Sequence, residues 1–185
     1  YAESLAVEQQ MTSAIHYVTA EELPTVYLIT GHLEDDLPYD VRKQMELENY
    51  EIKELSLLTE EKIPDDADIV MFIAPKRDIT EDEAEKVRQY LEDQGRAIFF
   101  MELIENELPN FESILKSYGV GLDKALVVEG DSSRYWQSPA WIVPNLENHD
   151  ITSPMRTNGM QVLTIGAQGV EILDVKKRTL EIEPL

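Results

Sequence analysis

The chain has 185 residues, with 37 Asp and Glu against 16 Lys and Arg, so its formal net charge is -21. This charge argues against nucleic acid as a partner, because a phosphate backbone is bound mainly through Lys and Arg. Hydrophobic residues make up 43% of the chain, which is enough for a folded core despite the acidity. The absence of cysteine excludes disulfides, thiolate nucleophiles and cysteine-ligated zinc sites.

No run of the sequence approaches the eighteen or so apolar residues of a membrane-spanning helix. The start, Tyr1-Ala2-Glu3, is neither an initiator methionine nor the basic region of a signal peptide. We therefore expect a fragment of a longer protein. Its surface acidity disfavours adsorption to an anionic membrane. Contact with a membrane is expected only through segments absent from this fragment.

The first elements in chain order are a helix and two strands. Residues 2–19 carry an imperfect apolar stripe, and two placements stay open for this helix: a membrane-proximal stalk, or packing on the sheet. The β-branched and aromatic run 25–30 predicts a buried strand that ends at Gly31. A helical stretch over 40–49 and an alternating strand over 51–57 follow.

The centre of the chain holds its clearest elements. The run 68–74 is apolar after its first residue, which predicts a strand buried on both faces of a parallel sheet. Thr80 and Glu83 have the spacing of a capping box, which predicts the start of a helix ending at Gly95. Residues 96–101 predict another buried strand.

The remaining chain predicts a helix over 109–118 and a short strand over 125–128. A strand followed by a helix, repeated about four times, indicates an α/β fold with an open, mostly parallel, doubly wound sheet. We expect an N-terminal helix over residues 1–20 and a single α/β domain over 24–185, irregular from about residue 131.

The loop after the first strand lies where open α/β sheets bind ligands. It has one glycine, Gly31, and three consecutive carboxylates, which disfavours a dinucleotide or flavin phosphate, so no cofactor is predicted. His32, Glu34 and Asp35 have two interpretations: a divalent metal site of a metal-assisted hydrolase or glycan-processing domain, or an acidic turn. The acidic turn is favoured and no metal is predicted.

Two further segments are candidates for contact with a ligand or partner. The loop Pro75-Lys76-Arg77 is basic in an acidic protein, so it either receives an acidic group or pairs with nearby carboxylates of its own chain. An irregular segment offers an aromatic docking surface or, as we favour, aromatics packed under the segment itself; it contains Tyr135, Trp136 and Trp141. With neither a nucleophile elbow nor a cysteine, the chain is not expected to be an enzyme.

Several motifs together resemble one known family, the auxiliary, gliding-motility-type extracytoplasmic domain of ABC-type uncharacterized transport systems. The resemblance covers nearly the whole chain. It lies in residues 8–15, 18–19, 24–32 with Glu34, 63–68, 73–78, Glu83, 90–91, 95–96, 110–119 and 149–152.

The resemblance implies a domain at the extracytoplasmic face of the cell membrane, anchored by transmembrane helices outside this fragment. Its partners would be ABC permease and ATPase subunits, with a companion extracytoplasmic protein as a further candidate. It also implies a flavodoxin-like or glutamine-amidotransferase-like three-layer sandwich that lacks the catalytic cysteine. The family's usual Gly-His-Gly-Glu stands here as Gly31-His32-Leu33-Glu34. If the missing glycine serves for a positive φ or close backbone access, Leu33 argues against a conventional ligand loop.

The leading hypothesis is a non-catalytic binding or interaction module of an ABC transport system, with an unknown transported substrate. Its candidate binding residues meet at one edge of the sheet: Gly31, His32, Glu34, Pro75, Lys76 and Arg77. The metal-assisted enzyme described above is the first alternative. A structural spacer between membrane helices is the second.

Overall fold

The computed structural model describes residues 2–20, 23–174 and 180–185. The chain divides into two compact units, Tyr1–Met101 and Glu102–Leu185. The first unit is an open α/β sandwich, in agreement with the α/β class expected from the sequence. The expectation of one domain over residues 24–185 stays a prediction.

Unit 1 contains a four-stranded parallel sheet in the order β2-β1-β3-β4. The predicted order of strands and helices is confirmed here, and the ends differ by at most two residues, except that the helix expected to end at Gly95 ends three residues earlier. Its elements are α1 Ala2–Thr19, β1 Thr25–Thr30, α2 Tyr39–Leu47, β2 Glu51–Ser56, β3 Ile69–Ile73, α3 Glu81–Glu92 and β4 Arg96–Phe100.

The core of unit 1 lies on both faces of the two central strands, β1 and β3. On one face Val26 and Leu28 form a buried cluster with Met71, and Met45 of α2 packs against it. On the other face the rings of Phe72 and Phe99 stack at 4.8 Å between centroids. Burial on both faces explains why these strands read as nearly continuous apolar runs.

Helix α3 begins at the predicted capping box. The Thr80 hydroxyl accepts a hydrogen bond from the Glu83 amide at 3.3 Å, and the Glu83 carboxylate accepts one from the Thr80 amide at 2.8 Å. The predicted end at Gly95 needs correction, because the C-cap is Asp93 and the left-handed residue is Gln94, with φ of 70°.

Helix α1 forms as predicted, and the described side chains in its second half include exposed Met11, Ile15 and Val18. The Ser13 hydroxyl donates to the Leu47 carbonyl, and the Asn49 side-chain amide donates to the Ser13 carbonyl at 2.9 Å. This segment is therefore tied to the turn between α2 and β2. Among the described residues, no helix combines the length and apolar character needed to span a bilayer.

Unit 2 contains two small antiparallel sheets, β5 with β8 and β6 with β7. The predicted strand 125–128 is wrong in extent, because β5 starts at Val120 and pairs antiparallel instead of extending the parallel sheet. Its charged residues Asp123 and Lys124 are exposed, and an antiparallel pair of strands can have one face exposed to solvent. The elements are α4 Pro109–Ser117, β5 Val120–Leu126, β6 Trp141–Ile142, α5 Ser153–Thr157, β7 Thr164–Ile165 and β8 Gln168–Ile172.

Candidate functional site

A buried histidine organises the loop that follows β1. The His32 side chain is only 2% exposed. Its Nδ1 lies 3.0 Å from Glu34 Oε1, and its Nε2 lies 3.1 Å from Glu83 Oε1. Both ring nitrogens are therefore occupied by carboxylates of the same unit, one from the loop and one from α3.

The second oxygen of the Glu34 and Glu83 carboxylates also accepts hydrogen bonds. Glu34 Oε2 accepts the His32 backbone N–H at 2.7 Å. Glu83 Oε2 accepts both the amide and the hydroxyl of Thr80, each at 2.8 Å. One network thus joins the β1 loop to the N-terminus of α3, and we call His32, Glu34, Thr80 and Glu83 the histidine brace.

Backbone hydrogen bonds tie the β1 loop to the loop after β3. The His32 carbonyl accepts the N–H groups of Lys76 and Arg77, both at 3.0 Å, and the Asp35 N–H donates to the Ile73 carbonyl at 2.9 Å. The two loops follow neighbouring parallel strands, so they meet at the carboxyl edge of the sheet. The sequence-based expectation placed its candidate residues at this edge.

Several residues of these loops and of the segment after β2 lie on the solvent-exposed side of this edge. Leu33 is 67% exposed and Leu58 is 58% exposed. Leu58 Cδ1 lies 3.5 Å from the point where a Cβ on Gly31 would stand. The Arg77 guanidinium donates to the Gly31 carbonyl, and Lys76 Nζ lies 3.3 Å from Asp35 Oδ2. We call Gly31, Leu33, Leu58, Lys76 and Arg77 the loop edge.

The predicted site residues therefore separate into two groups. His32 and Pro75 are buried and Glu34 is nearly so, with 7% of its side chain exposed, so these three position the loops. Gly31 and Arg77 are exposed and Lys76 is partly exposed, so these three are accessible to a partner.

The predicted aromatic surface belongs to unit 2. The Trp136 and Trp141 rings lie 5.8 Å apart at an angle of 47°, and the Trp136 amide donates to the Trp141 carbonyl at 2.9 Å. Tyr135 bridges to Ile142 in the same hairpin. Trp136 is 55% exposed, whereas Tyr135 and Trp141 are partly buried. The aromatics thus pack on their own hairpin and leave one ring open to solvent.

Comparison with known proteins decides the family. A family model described as ABC-type uncharacterized transport system matches residues 23–185, which begin just before β1. The chain belongs to this family. Membership indicates an auxiliary component of an ABC-type transport system, and hence an association with a membrane system.

One solved structure, titled "mmIFT52 N-terminal domain", has a TM-score of 0.62 and 16% sequence identity to the chain. The match covers 80% of this chain and 73% of that chain. At this identity the likeness shows a shared fold alone. No curated protein matches the chain significantly.

The structure explains how this member of the ABC-type uncharacterized transport system family accommodates Leu33 in its Gly-His-Leu-Glu motif. Leu33 has φ of 61°, in the left-handed region where glycine is favoured, and the neighbouring Ala74 has φ of 46°. A left-handed conformation costs a non-glycine residue about 1–2 kcal/mol. Such strain persists only where the surroundings impose it, and here the brace and the paired loops do so.

The brace shifts the pKa values of two of its members. Burial, the largest single effect, lowers the pKa of His32, but the hydrogen bond to Glu34 and the charges of Glu83 and Glu34 outweigh it, so the pKa is raised above 6.5. Burial acts to raise the pKa of Glu34, but the His32 contacts and backbone amides lower it below 4.5. The geometry fits an imidazolium held between two carboxylate acceptors.

These shifts predict a pH window for the brace. The raised pKa of His32 gives stability that is complete below pH 6.5 and lost as pH rises through the folded-state pKa. The lowered pKa of Glu34 gives stability that is complete above pH 4.5 and lost as pH falls through the folded-state pKa. We expect the largest contribution between those values. Denaturation of wild type and His32→Gln should differ most there, and a difference growing above pH 6.5 would contradict the imidazolium.

In this arrangement neither ring nitrogen of His32 is available to bind a metal ion. Both ring nitrogens of His32 contact carboxylates, and Asp35 turns its side chain toward Lys76. Within residues 2–20, 23–174 and 180–185, no group of three His, Asp or Glu side chains is arranged to hold a metal ion.

Sequence reasoning missed the part that Glu83 has in the site. It identified Glu83 as a capping residue, which uses only one oxygen of the carboxylate. The contact between Glu83 and His32 could have been inferred from position in the fold. A helix that follows a parallel strand starts at the carboxyl edge of the sheet, where the β1 loop also lies. A carboxylate in the first turn of α3 could therefore reach His32.

Proposed function

We propose that the chain is a non-catalytic, extracytoplasmic interaction module of an ABC transport system, and that the loop edge binds the permease or a companion extracytoplasmic protein. One observation carries this proposal: a brace whose His32 and Glu83 side chains are buried holds a strained loop in place while its central residue, Leu33, is 67% exposed. Family membership supports the transport context.

Rigidity favours the proposed binding. The His32 ring and carbonyl together fix the β1 loop to α3 and to the β3 loop. A surface that is already ordered loses little conformational entropy on binding, so more of the contact energy appears as affinity. A network whose His32 and Glu83 side chains are buried and hydrogen-bonded to one another fits this positioning role.

The chemistry of the loop edge also suits a protein partner. Leu33 and Leu58 supply apolar area, and Arg77 supplies a guanidinium that contacts no carboxylate within 4.0 Å among the residues described. Interface centres favour apolar side chains and arginine. The partner surface we expect is apolar with an adjacent carboxylate.

The enzyme and spacer alternatives differ from this proposal in what they require. A metal-assisted enzyme requires a ligand set, and His32 is already saturated by Glu34 and Glu83. A structural spacer requires only a stable fold, so it predicts that exposed residues of the loop edge can be changed without effect on the complex.

Charge reversal at the loop edge provides the test. With the domain restored to its neighbouring chain segments in the membrane, Lys76→Glu/Arg77→Glu should lower retention of the permease or companion protein at least about tenfold, the loss of one strong contact. Arg42→Glu/Lys43→Glu on α2 is the matched control, since it makes the same charge change, and it should retain the partner. Equal retention by both variants would favour the spacer.

A further inference from the structure

Unit 2 of this acidic chain contains an open pocket of about 420 Å³. Among the residues that the structure describes, its lining includes two arginines and no carboxylate. The lining residues are Ser133, Arg134, Val143, Pro144, Asn145, Leu146, Arg156, Met160 and Gln161.

The sequence shows how an acidic chain forms such a pocket. One residue in five is Asp or Glu, 37 of 185, yet residues 132–146 and 151–170 contain neither. Antiparallel pairing of β6 with β7 joins these two stretches, with Trp141 opposite Ile165. All nine described lining residues come from the two acid-free stretches, so their pairing produces a pocket lining without negative side chains among them.

The two arginines keep hydrogen-bond donors for a ligand. The Arg134 backbone sits at the base of the tryptophan hairpin, where its carbonyl accepts the Val143 N–H at 2.8 Å. The Arg134 Nε lies 3.8 Å from Glu129 Oε2, beyond hydrogen-bond distance. Arg156 Nη1 donates to the neutral Asn148 amide at 2.9 Å. Each guanidinium has five N–H donors, so most remain available.

We propose that this pocket binds a small molecule carrying a carboxylate or phosphate group next to an apolar portion. Arginine pairs with both anions through two parallel hydrogen bonds. Leu146 and Met160 line the pocket as apolar contacts, and Asn145 and Gln161 add polar ones. The volume falls within the range of small-molecule sites. The site lies in unit 2 and does not depend on the loop edge.

Titration of the ¹⁵N-labelled chain with three probes at constant ionic strength tests the proposal. Benzoate and inorganic phosphate represent the two anions, and benzamide is the neutral counterpart of benzoate. We expect saturable shifts of the amide signals of residues 133–134, 143, 145–146 and 156–161 with benzoate or phosphate. Benzamide at equal concentration should give none. Saturation by benzoate alone assigns a carboxylate ligand, and saturation by phosphate alone assigns a phosphate.

Arginine variants connect the binding to the pocket. Arg134→Gln/Arg156→Gln should weaken binding of the responsive anion about tenfold or more, and Arg42→Gln/Lys43→Gln in unit 1 is the control with the same charge change. The indole signals of Trp136 and Trp141 report whether unit 2 stays folded. If the double variant is unfolded, each single substitution should still weaken binding. The proposal is overturned if neither anion saturates, if benzamide binds equally well, or if folded variants bind like wild type.

Discussion

Replacing His32 by leucine is expected to lower the free energy of unfolding of unit 1 by about 3–5 kcal/mol, the usual cost of removing one partner from a buried ion pair. The change leaves the Glu34 and Glu83 carboxylates buried, with 7% and 2% of their side chains exposed, and without the group that both contact. It also leaves their negative charges close together, which adds repulsion.

The measurement is urea denaturation followed by the amide signals of β1 and β3. Tryptophan fluorescence would not report on unit 1, because Trp136 and Trp141 both lie in unit 2. His149→Leu, with its denaturation followed by the tryptophan fluorescence of unit 2, is the matched control, since His149 Nε2 also contacts a glutamate, Glu183, at 2.9 Å, but its side chain is 30% exposed. We expect the control to cost less than about 1 kcal/mol. A similar loss in both variants would show that burial of the brace is unimportant.

Neutralising the carboxylates should cost much less stability in the leucine variant than in the wild-type protein. We expect Glu34→Gln/Glu83→Gln to be destabilising with His32 present and much less so when His32 is already leucine, because the carboxylates and the ring act as one network. Strictly additive losses would contradict a coupled brace.

Replacing Gly95 by alanine is expected to destabilise unit 1 by about 2–4 kcal/mol, because it combines overpacking with the loss of hydrogen bonds. The added Cβ would stand 2.4 Å from Tyr90 Cε1. The ring cannot move cheaply, since the Tyr90 hydroxyl contacts the Ala67 carbonyl at 3.1 Å and both backbone groups of Arg96 at 3.2 Å. The glycine is therefore required by close packing and not by its φ.

The same denaturation experiment measures this effect. Gly130→Ala in unit 2, followed by tryptophan fluorescence, is the control, because no atom lies within 4 Å of a Cβ there, and its change should stay within about 0.5 kcal/mol. Adding Gly95→Ala to a Tyr90→Leu background should cost much less than adding it to wild type. An equal cost in both backgrounds would show that the ring contact is not the cause.

The central sheet was predictable because its strands obey local rules. Strands β1 and β3 are buried on both faces and so read as apolar runs, and Thr80 with Glu83 has the spacing of a capping box. The end of α3 was less predictable. Gly95 suggested a C-cap, whereas Gln94 adopts the left-handed conformation and Gly95 makes room for Tyr90.

The candidate site was predictable in place but not in the roles of its residues. Topology alone puts the loops after β1 and β3 at one edge. The burial of His32 depends on Glu83, which is 51 residues away, and no local pattern shows that the second carboxylate oxygen is free to reach it. The extent and pairing of strand β5 were predicted wrongly for a related reason. Its antiparallel partner β8 lies far along the chain, and its charged residues interrupt the apolar pattern that would indicate a strand.

The measurement that tests the account most directly is partner retention by Leu33→Gly in the membrane-restored protein. Glycine relieves the left-handed strain at Leu33 but adds chain entropy, so stability should change by less than about 1 kcal/mol and the brace should stay intact. We predict that this variant loses the permease or companion protein, whereas Ile151→Ala, which removes a side chain of similar exposure, 65%, in unit 2, retains it. Full retention by a folded Leu33→Gly protein would contradict the proposal that the loop edge is the binding surface.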